Sequence, residues 1–252
     1  MRADIYINPE FSSLTHLVER LPDNFDNIGD IIHSGRNQIR IVEASGEKLV
    51  IKYFKKITLF NKFIYGNVRK SKAKRSFENS ATLLKNGIGT PKPVAYIDTF
   101  SHLLLKKSFY VCLYTDYTDI KNLLDLPLSE AENGIRAFAR LSGKMHHAGI
   151  FHGDYNTSNV LFKIIDGNYD FCLIDNNRMK FKRFTLKSGA KNFKRMRLSV
   201  EQTAIIGSEY ARMYGYSERL FVIKMLLYRS LFVFRENFKV KIKKMFHKIL
   251  KK

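Results

Sequence analysis

The sequence predicts an α+β fold of two lobes, a strand-rich N-lobe and a mainly helical C-lobe. Short runs rich in Ile and Val dominate the first half of the chain, and longer stretches with apolar residues at helical spacing dominate the second. With 252 residues, the chain can form one compact domain or two small lobes that share a core. We predict an N-lobe with an interlobe linker over residues 1–117, a C-lobe over 118–237 and a basic tail over 238–252.

The N-lobe is predicted to be built mainly from strands. A helix is predicted from Ser76 to Lys85 by its composition, and it ends where Asn86 and Gly87 offer a C-terminal cap. Pro91 and Pro93 predict a loop after it. The predicted strands are Ile28–His33, Gln38–Glu43, Lys48–Phe54 and Phe109–Thr115.

The C-lobe is predicted to be helical, with one hairpin. Val160–Ile165 and Tyr169–Ile174 are strand-like runs on either side of Asp166-Gly167, a dipeptide that favours a tight two-residue turn. Apolar residues at helical spacing predict the helices. These are Ser129–His147, Ser199–Tyr214 and Glu218–Phe234.

The charge of the chain predicts an acidic partner. The formal net charge is +21, which favours association with nucleic acid, anionic lipid or phosphorylated glycans. Cys112 and Cys172 lie in apolar runs and predict buried free thiols in a reducing compartment. The first ten residues lack an apolar core of the signal-peptide kind, and the most apolar stretch, 220–234, is interrupted by cations. We therefore expect a cytoplasmic location.

The segment from His152 to Asn159 carries the strongest chemical signal. Asp154 and Asn159 lie five residues apart in a loop, and Asp175 follows the predicted hairpin. Carboxylate and amide oxygens are the ligands that Mg²⁺ prefers, together with water and phosphate. A further carboxylate beside an acceptor hydroxyl can orient it and accept its proton. The pattern favours metal-assisted phosphate chemistry.

This pattern resembles the catalytic and metal-binding loops of the protein-kinase-like superfamily. The resemblance implies a protein-kinase-like fold that uses ATP and Mg²⁺. It implies that Asp154 is the catalytic base, that Asn159 ligates one metal ion, and that Asp175 ligates metal bridging the ATP phosphates. It also implies that Lys52, in Val50-Ile51-Lys52, contacts phosphate.

Two further residues are weaker candidates for nucleotide binding. Glu78, in the following helix, could pair with Lys52, since no other acidic residue lies between the two. The alternative is that Glu78 is simply an exposed glutamate on that helix. Gly35 is the only glycine between the first two strands, so a Gly-x-Gly-x-x-Gly loop is absent. The loop around Gly35 could offer backbone N–H groups to a phosphate, or it could be an ordinary hairpin turn.

At the family level, the chain resembles the lipopolysaccharide core kinases, which phosphorylate Kdo or heptose in the inner core. The resemblance covers roughly residues 28–197 and is carried by His146 to Asp154, by Asn156 and Asn159, and by Leu173 to Arg178. It implies a sugar hydroxyl of the lipopolysaccharide inner-core glycolipid as acceptor.

Two departures from regulated protein kinases support a small or glycan acceptor. Gly153 stands where those enzymes have arginine, and Asn176-Asn177 replaces Phe-Gly. A compact atypical Ser/Thr protein kinase and another small-molecule kinase stay open as alternatives. A basic nucleic-acid-binding module, for which the segments Phe181–Phe184 and Phe193–Arg197 interleave cations with aromatic residues only weakly, ranks third. It leaves the spacing of Asp154, Asn159 and Asp175 unexplained.

The tail from Phe238 to Lys252 alternates cations with apolar residues. That pattern predicts an amphipathic helix on an anionic membrane surface, which places the protein peripherally on the inner face of the cytoplasmic membrane. The alternative is a lysine-rich end that packs its apolar face on the domain.

Overall fold

A six-stranded antiparallel sheet organises the first of two units, which comprises Met1–Tyr117 and Cys172–Arg178. The computed structural model describes residues 2–249, apart from the side chains of 66, 67, 243 and 247–249. The strands are β1 (Arg2–Ile7), β2 (Asp30–Ser34), β3 (Gln38–Ala44), β4 (Glu47–Tyr53), β5 (Pro93–Ser101) and β6 (Leu104–Leu113), and the helices are α1 (Thr15–Asn24), α2 (Leu59–Asn67) and α3 (Lys72–Lys85). The strand order in the sheet is β1-β5-β6-β4-β3-β2.

The two faces of this sheet bury different apolar clusters. Because successive strand residues point to opposite faces, Leu49 and Ile51 of β4 join the cluster that includes residues of α1. Val50 faces the other way, toward the cluster that holds Phe77 of α3. Lys52 shares the face of Val50 by the same alternation, so the strand directs its ammonium group to the α3 side of the sheet.

Helices dominate the second unit, which comprises Thr118–Phe171 and Met179–Lys252. Its strands are β7 (Thr118–Asp119), β8 (Ile150–Phe151), β9 (Val160–Ile165), β11 (Lys180–Phe181) and all but the last two residues of β10 (Asn168–Leu173). Its helices are α4 (Ile120–Leu124), α5 (Leu128–His147), α6 (Leu186–Asn192), α7 (Val200–Met213) and α8 (Glu218–Ile249). Strand β9 lies between β7 and β10, while β8 pairs with β11. Its core is aromatic, with Phe138, Phe193, Tyr210 and Phe221 buried.

The predicted fold class is confirmed, and most predicted elements are present. Helix α5 begins one residue before the predicted helix, and Ser199 caps the N-terminus of α7 through a hydrogen bond from the Gln202 amide. In the β9–β10 turn, Asp166 and Gly167 both have left-handed backbone angles, as a tight hairpin requires. Cysteines 112 and 172 are buried and free, as predicted.

Several expectations need correction. Pro93 does not lie in a loop but begins β5, a buried strand that the sequence did not predict. Strand β1 and helices α1 and α2 were not predicted either. The segment 172–178, expected in the C-lobe, belongs to the first unit. Helix α8 continues through the predicted start of the tail as far as Ile249, and the last three tail residues lie outside the described range. Within residues 2–249, none of the helices combines the length and apolar character needed to cross a membrane.

Candidate active site

In the first unit, Lys52 and Asp175 form an ion pair. The Nζ atom of Lys52 donates to Asp175 Oδ1 over 2.7 Å, and the two side chains are 15% and 29% exposed. Such a partly desolvated pair is stronger than one on an open surface. The structure therefore brings together the predicted phosphate-binding lysine and one predicted metal ligand.

Asp175 has an uncommon backbone conformation. Its φ angle is +58°, in the left-handed region that non-glycine residues rarely adopt. Asn177 stabilises the turn because its Nδ2 donates to Asp175 Oδ1 over 2.6 Å. A strained residue of this kind persists only where its surroundings enforce it, and such residues cluster at functional sites.

A buried polar network beneath Asp175 supplies that enforcement. Asn79 of α3 donates through Nδ2 to the Asn176 carbonyl over 2.7 Å. Asn176 Nδ2 in turn donates to Ser80 Oγ over 3.0 Å and to Thr90 Oγ1 over 2.8 Å. Because these groups are buried, loss of one partner would leave others unsatisfied. Asn176 thus ties the turn to α3 and Thr90, while Asn177 bonds to the Asp175 carboxylate itself.

The predicted pairing of Lys52 with Glu78 is wrong for this structure. Both carboxylate oxygens of Glu78 lie 2.8 Å from Lys70 Nζ, in an exposed ion pair. The neighbouring residue, Asn79, occupies the buried side of α3 instead. A shift of one residue rotates a side chain by about 100° around a helix, so adjacent positions face different surroundings. The predicted role of Glu78 in nucleotide binding stays untested.

The loop around Gly35 forms a turn between β2 and β3. The Gly35 N–H donates to the Asn37 carbonyl over 3.0 Å. The φ angle of Gly35 is not left-handed, so the backbone there does not require glycine. This geometry matches the hairpin-turn alternative and provides no direct evidence for the phosphate role of Gly35.

Lys72 and a group of arginines near it are further cations on this side of the first unit, and sequence reasoning missed them. Lys72 Nζ lies 5.7 Å from the centroid of the Phe54 ring, and Lys52 Nζ lies 5.5 Å from the same centroid. Burial lowers the pKa of Lys72, and nearby guanidinium groups lower it further, although Asp175 opposes them. Those guanidinium groups belong to Arg36, Arg178 and Arg75.

This set of side chains fits a nucleotide with a divalent metal ion. A carboxylate is a hard oxygen ligand for Mg²⁺, and ammonium and guanidinium groups are partners for phosphate oxygens. Asp175 would hold the metal, while Lys52 and Lys72 would face phosphate. Clustered cations that depress one another's pKa values gain stability from a bound polyanion.

In the second unit, hydrogen bonds fix the loop that carries Asp154. His152 is buried, and its Nδ1 accepts the Asp154 N–H over 3.1 Å. The Nδ2 atoms of Asn156 and Asn159 both donate to the Asp154 carbonyl, over 3.0 Å and 2.9 Å. Because the Nδ2 of Asn159 is used in this way, its Oδ1 is the atom that the amide can offer to a metal ion. The structure thus brings together two of the predicted site residues, Asp154 and Asn159.

The loop that carries Asp154 also packs against α5. The Tyr155 hydroxyl lies 2.7 Å from Ser142 Oγ, and Ser142 Oγ donates to the Phe138 carbonyl. His146 stacks on Phe151 with ring centroids 4.6 Å apart, and burial lowers the pKa of this imidazole to about 3. His146 is therefore neutral at physiological pH and has a structural role beside the loop.

Arg195 is a further residue at this site that the sequence did not assign to catalysis. Its Nη1 donates to Asp154 Oδ1 over 2.8 Å, and the two side chains are 39% and 18% exposed. The two residues are 41 positions apart in the sequence. The available signal was the basic segment Phe193–Arg197, which was read as a weak nucleic-acid pattern.

Comparisons with known proteins identify a family and a similar fold. The model of the lipopolysaccharide kinase (Kdo/WaaP) family matches residues 34–216. The solved structure "WaaP in complex with acyl carrier protein" shares the fold with a TM-score of 0.64, covering 92% of this chain and 96% of that chain at 16% identity. A cysteine-to-alanine mutant of the Mycobacterium tuberculosis PknI kinase domain gives a TM-score of 0.42 at 14% identity, with 73% of each chain covered. No curated protein matches the chain in sequence.

Proposed function

Because the chain belongs to the lipopolysaccharide kinase (Kdo/WaaP) family, we propose that it transfers the γ-phosphoryl group of ATP to a hydroxyl of Kdo or heptose in the lipopolysaccharide inner core. The observation that carries this proposal is the Asp154 loop, in which His152, Asn156 and Asn159 all bond to the backbone of one carboxylate residue. A carboxylate held in this way can orient an acceptor hydroxyl.

The sequence motif, rather than any contact between the units, assigns residues of both units to one reaction. Asp154 accepts the proton of the acceptor hydroxyl as the new O–P bond forms. The bond between the γ-phosphorus and the bridging oxygen breaks, and ADP leaves with the bonding electrons. The motif gives Asn159 and Asp175 each a metal-ligand role, and bound Mg²⁺ would supply charge neutralisation at the phosphates. Lys52 positions phosphate and holds Asp175 in place.

Helix α8 supports a peripheral location on an anionic membrane. Six large apolar residues recur at intervals of three and four along it, and each is at least 44% exposed. These are Leu220, Ile223, Leu227, Leu231, Phe234 and Phe238. We define them as the apolar stripe. The stripe does not pack on the protein's own core, and the tail residues Val240, Met245 and Phe246 are exposed as well. Both observations support the membrane interpretation over the packed-tail alternative.

Acyl carrier protein is a second candidate partner. The solved WaaP structure is a complex with acyl carrier protein. If this chain also binds acyl carrier protein, that protein would compete with lipid for an exposed surface. We propose the lipid surface as the main partner, because exposed cations lie on the same helix, beside the end of the stripe and directly after it. They include Arg235, Lys239, Lys241 and Lys244.

The proposed activity is tested with a panel of acceptors. Purified protein is incubated with Mg·ATP and either Kdo–lipid A, heptose-bearing inner-core glycolipid or a generic protein substrate, and products are analysed by mass spectrometry. The proposal predicts one added phosphate on a glycolipid, with fragmentation locating it on Kdo or on heptose. Phosphate on the protein substrate alone would support the atypical protein kinase. Transfer to none of them would contradict the proposed function.

A further inference from the structure

A pocket rich in cations lies against the loop of Asp154, within the second unit. Its volume is about 300 Å³, and His152 and Gly153 form part of its wall. Five cations from β11, the segment after it, α6 and the turn after α6 line the rest. They are Lys180, Lys182, Lys191, Lys194 and Arg195, and we call this cavity the cationic pocket.

The charge of this pocket is largely uncompensated. No acidic residue lines it, and within the described residues only Arg195 of the five cations forms an ion pair. Burial lowers the pKa of Lys182 and of Lys194, and neighbouring cations of the pocket lower both further. Cations that repel one another in this way gain stability when an anion enters.

Aromatic rings hold several of these cations in place. Lys182 Nζ lies 4.4 Å from the centroid of the Phe151 ring. Lys194 and Arg195 lie 5.7 Å and 5.2 Å from the centroid of Phe232. Such cation–π contacts reduce the freedom of long side chains, so less conformational entropy is lost when the pocket binds an anion.

A buried donor provides an independent indication of a ligand. Asn192 lines the pocket, and its Nδ2 is buried without a hydrogen-bond partner among the described residues. Buried donors are rarely left unsatisfied in native proteins. An oxygen atom of a bound carboxylate or phosphate would satisfy it.

We infer that the cationic pocket binds an acidic group of the acceptor, a carboxylate or a phosphate on the glycan, and thereby places the acceptor hydroxyl at Asp154. Arg195 makes the connection, because it lines the pocket and also donates to Asp154 Oδ1. This inference rests on the proposed function and adds a specificity determinant to it. The lysines of the pocket act as positioning residues, so they affect KM for the acceptor more than kcat.

The acceptor itself can be varied to test this inference. Kdo–lipid A is prepared in three forms: intact, with its Kdo carboxylates methylated, and with its lipid A phosphates removed. We expect the wild type to show a KM at least about tenfold higher for one of the modified forms, equivalent to about 1.4 kcal/mol. The form that loses affinity identifies the recognised group. Equal KM values for all three would overturn the inference.

Variants then assign the effect to the pocket. Lys191→Gln with Lys194→Gln should raise KM for the intact acceptor and remove discrimination against the modified form. Lys187→Gln is the matched control, because Lys187 lies on α6 one turn before Lys191, is exposed and does not line the pocket. An equal change in the double variant and the control would contradict the assignment.

Binding without turnover separates this inference from the proposed function. The full chain is titrated with free Kdo, Kdo methyl ester and inorganic phosphate, and line broadening and chemical shifts are followed by NMR. Binding of Kdo or phosphate that the double variant loses and Lys187→Gln retains supports the pocket even if no acceptor is phosphorylated. Absence of binding in the wild type would overturn the pocket, whatever the activity.

Discussion

Lys52 Nζ and Asp175 Oδ1 lie 2.7 Å apart, so one ion pair joins the lysine on β4 to the carboxylate after β10. Asn177 Nδ2 donates to the same oxygen atom. Two donors on one carboxylate oxygen fix the orientation of the carboxylate group, as a metal ligand requires. This arrangement makes Asp175 the residue on which metal-dependent nucleotide binding should depend most.

Asp175→Ala should weaken Mg·ATP binding by roughly tenfold or more, because it removes a metal ligand and leaves Lys52 without its partner. Asn159→Ala should weaken it less, since an amide oxygen is a neutral ligand. Isothermal titration calorimetry with and without Mg²⁺ measures both effects. Unchanged Mg·ATP affinity in both variants would contradict the assigned roles.

Asn79→Ala should lower the free energy of unfolding by about 1–3 kcal/mol, because the buried Asn176 carbonyl loses its donor. It should also weaken Mg·ATP binding, since Asn176 supports the strained turn at Asp175. Glu78→Gln, one position earlier on α3, removes only an exposed ion pair and should change stability by less than about 1 kcal/mol. Chemical denaturation followed by circular dichroism compares the two. Equal losses of stability in Asn79→Ala and Glu78→Gln would contradict a stabilising role of the buried network.

Asp98 should make stability depend on pH. The side chain is buried, and burial raises its pKa from 3.8 to about 6. A raised folded-state pKa means that the folded protein holds this proton more tightly than the unfolded chain. The stability that this provides is complete below about pH 3.8 and is lost as the pH rises through 6.

Asp98→Asn should therefore be more stable than the wild type at pH 8, by an amount on the order of 2–3 kcal/mol, and the difference should fall to roughly half of that at pH 5. Urea denaturation at the two pH values measures it. A difference that does not change between pH 5 and pH 8 would contradict the buried, ionising carboxyl.

The apolar stripe should control membrane binding. Leu231→Glu with Phe234→Glu places acidic groups on the stripe and should reduce binding to vesicles that contain anionic lipid. Activity on a short, water-soluble acceptor should change little. Removal of residues 238–252 should likewise reduce binding to these vesicles. Gln substitution at Arg219 and Arg229, which lie outside the stripe, changes the net charge by the same amount and controls for charge alone. Co-sedimentation with the vesicles measures binding. Acyl carrier protein is then added as a competitor, and a loss of vesicle binding would show that the two bind the same surface. Vesicle binding by the double variant equal to that of the wild type would exclude the stripe.

Local sequence patterns predicted the parts of the fold that depend on local chemistry. Helix α5 and the β9–β10 hairpin have self-contained signals, namely helical spacing and the Asp166-Gly167 turn. Strand β5 was missed because its first residue is a proline and both of its faces are buried, so it lacks alternation. The fold class was predicted correctly from the order of strand-rich and helical segments. The family was predicted correctly from a resemblance carried mainly by His146 to Asp154 and by Leu173 to Arg178.

Long-range side-chain partners could not be predicted in the same way. Whether Glu78 or Asn79 faces the site depends on how α3 rotates against the sheet, and that rotation is set by tertiary packing. The contact between Arg195 and Asp154 likewise depends on where the turn after α6 returns the chain. The sequence shows the residue types, while only the fold shows which of them meet.

Phosphoryl transfer by the Asp154→Asn variant tests the central claim most directly. Wild type and variant are incubated with Mg·ATP labelled at the γ-phosphate and the inner-core glycolipid, and label in the glycolipid is followed with time. The account predicts transfer by the wild type, a rate lower by roughly a hundredfold or more in the variant, and Mg·ATP binding retained in both. Transfer by Asp154→Asn at the wild-type rate would contradict it.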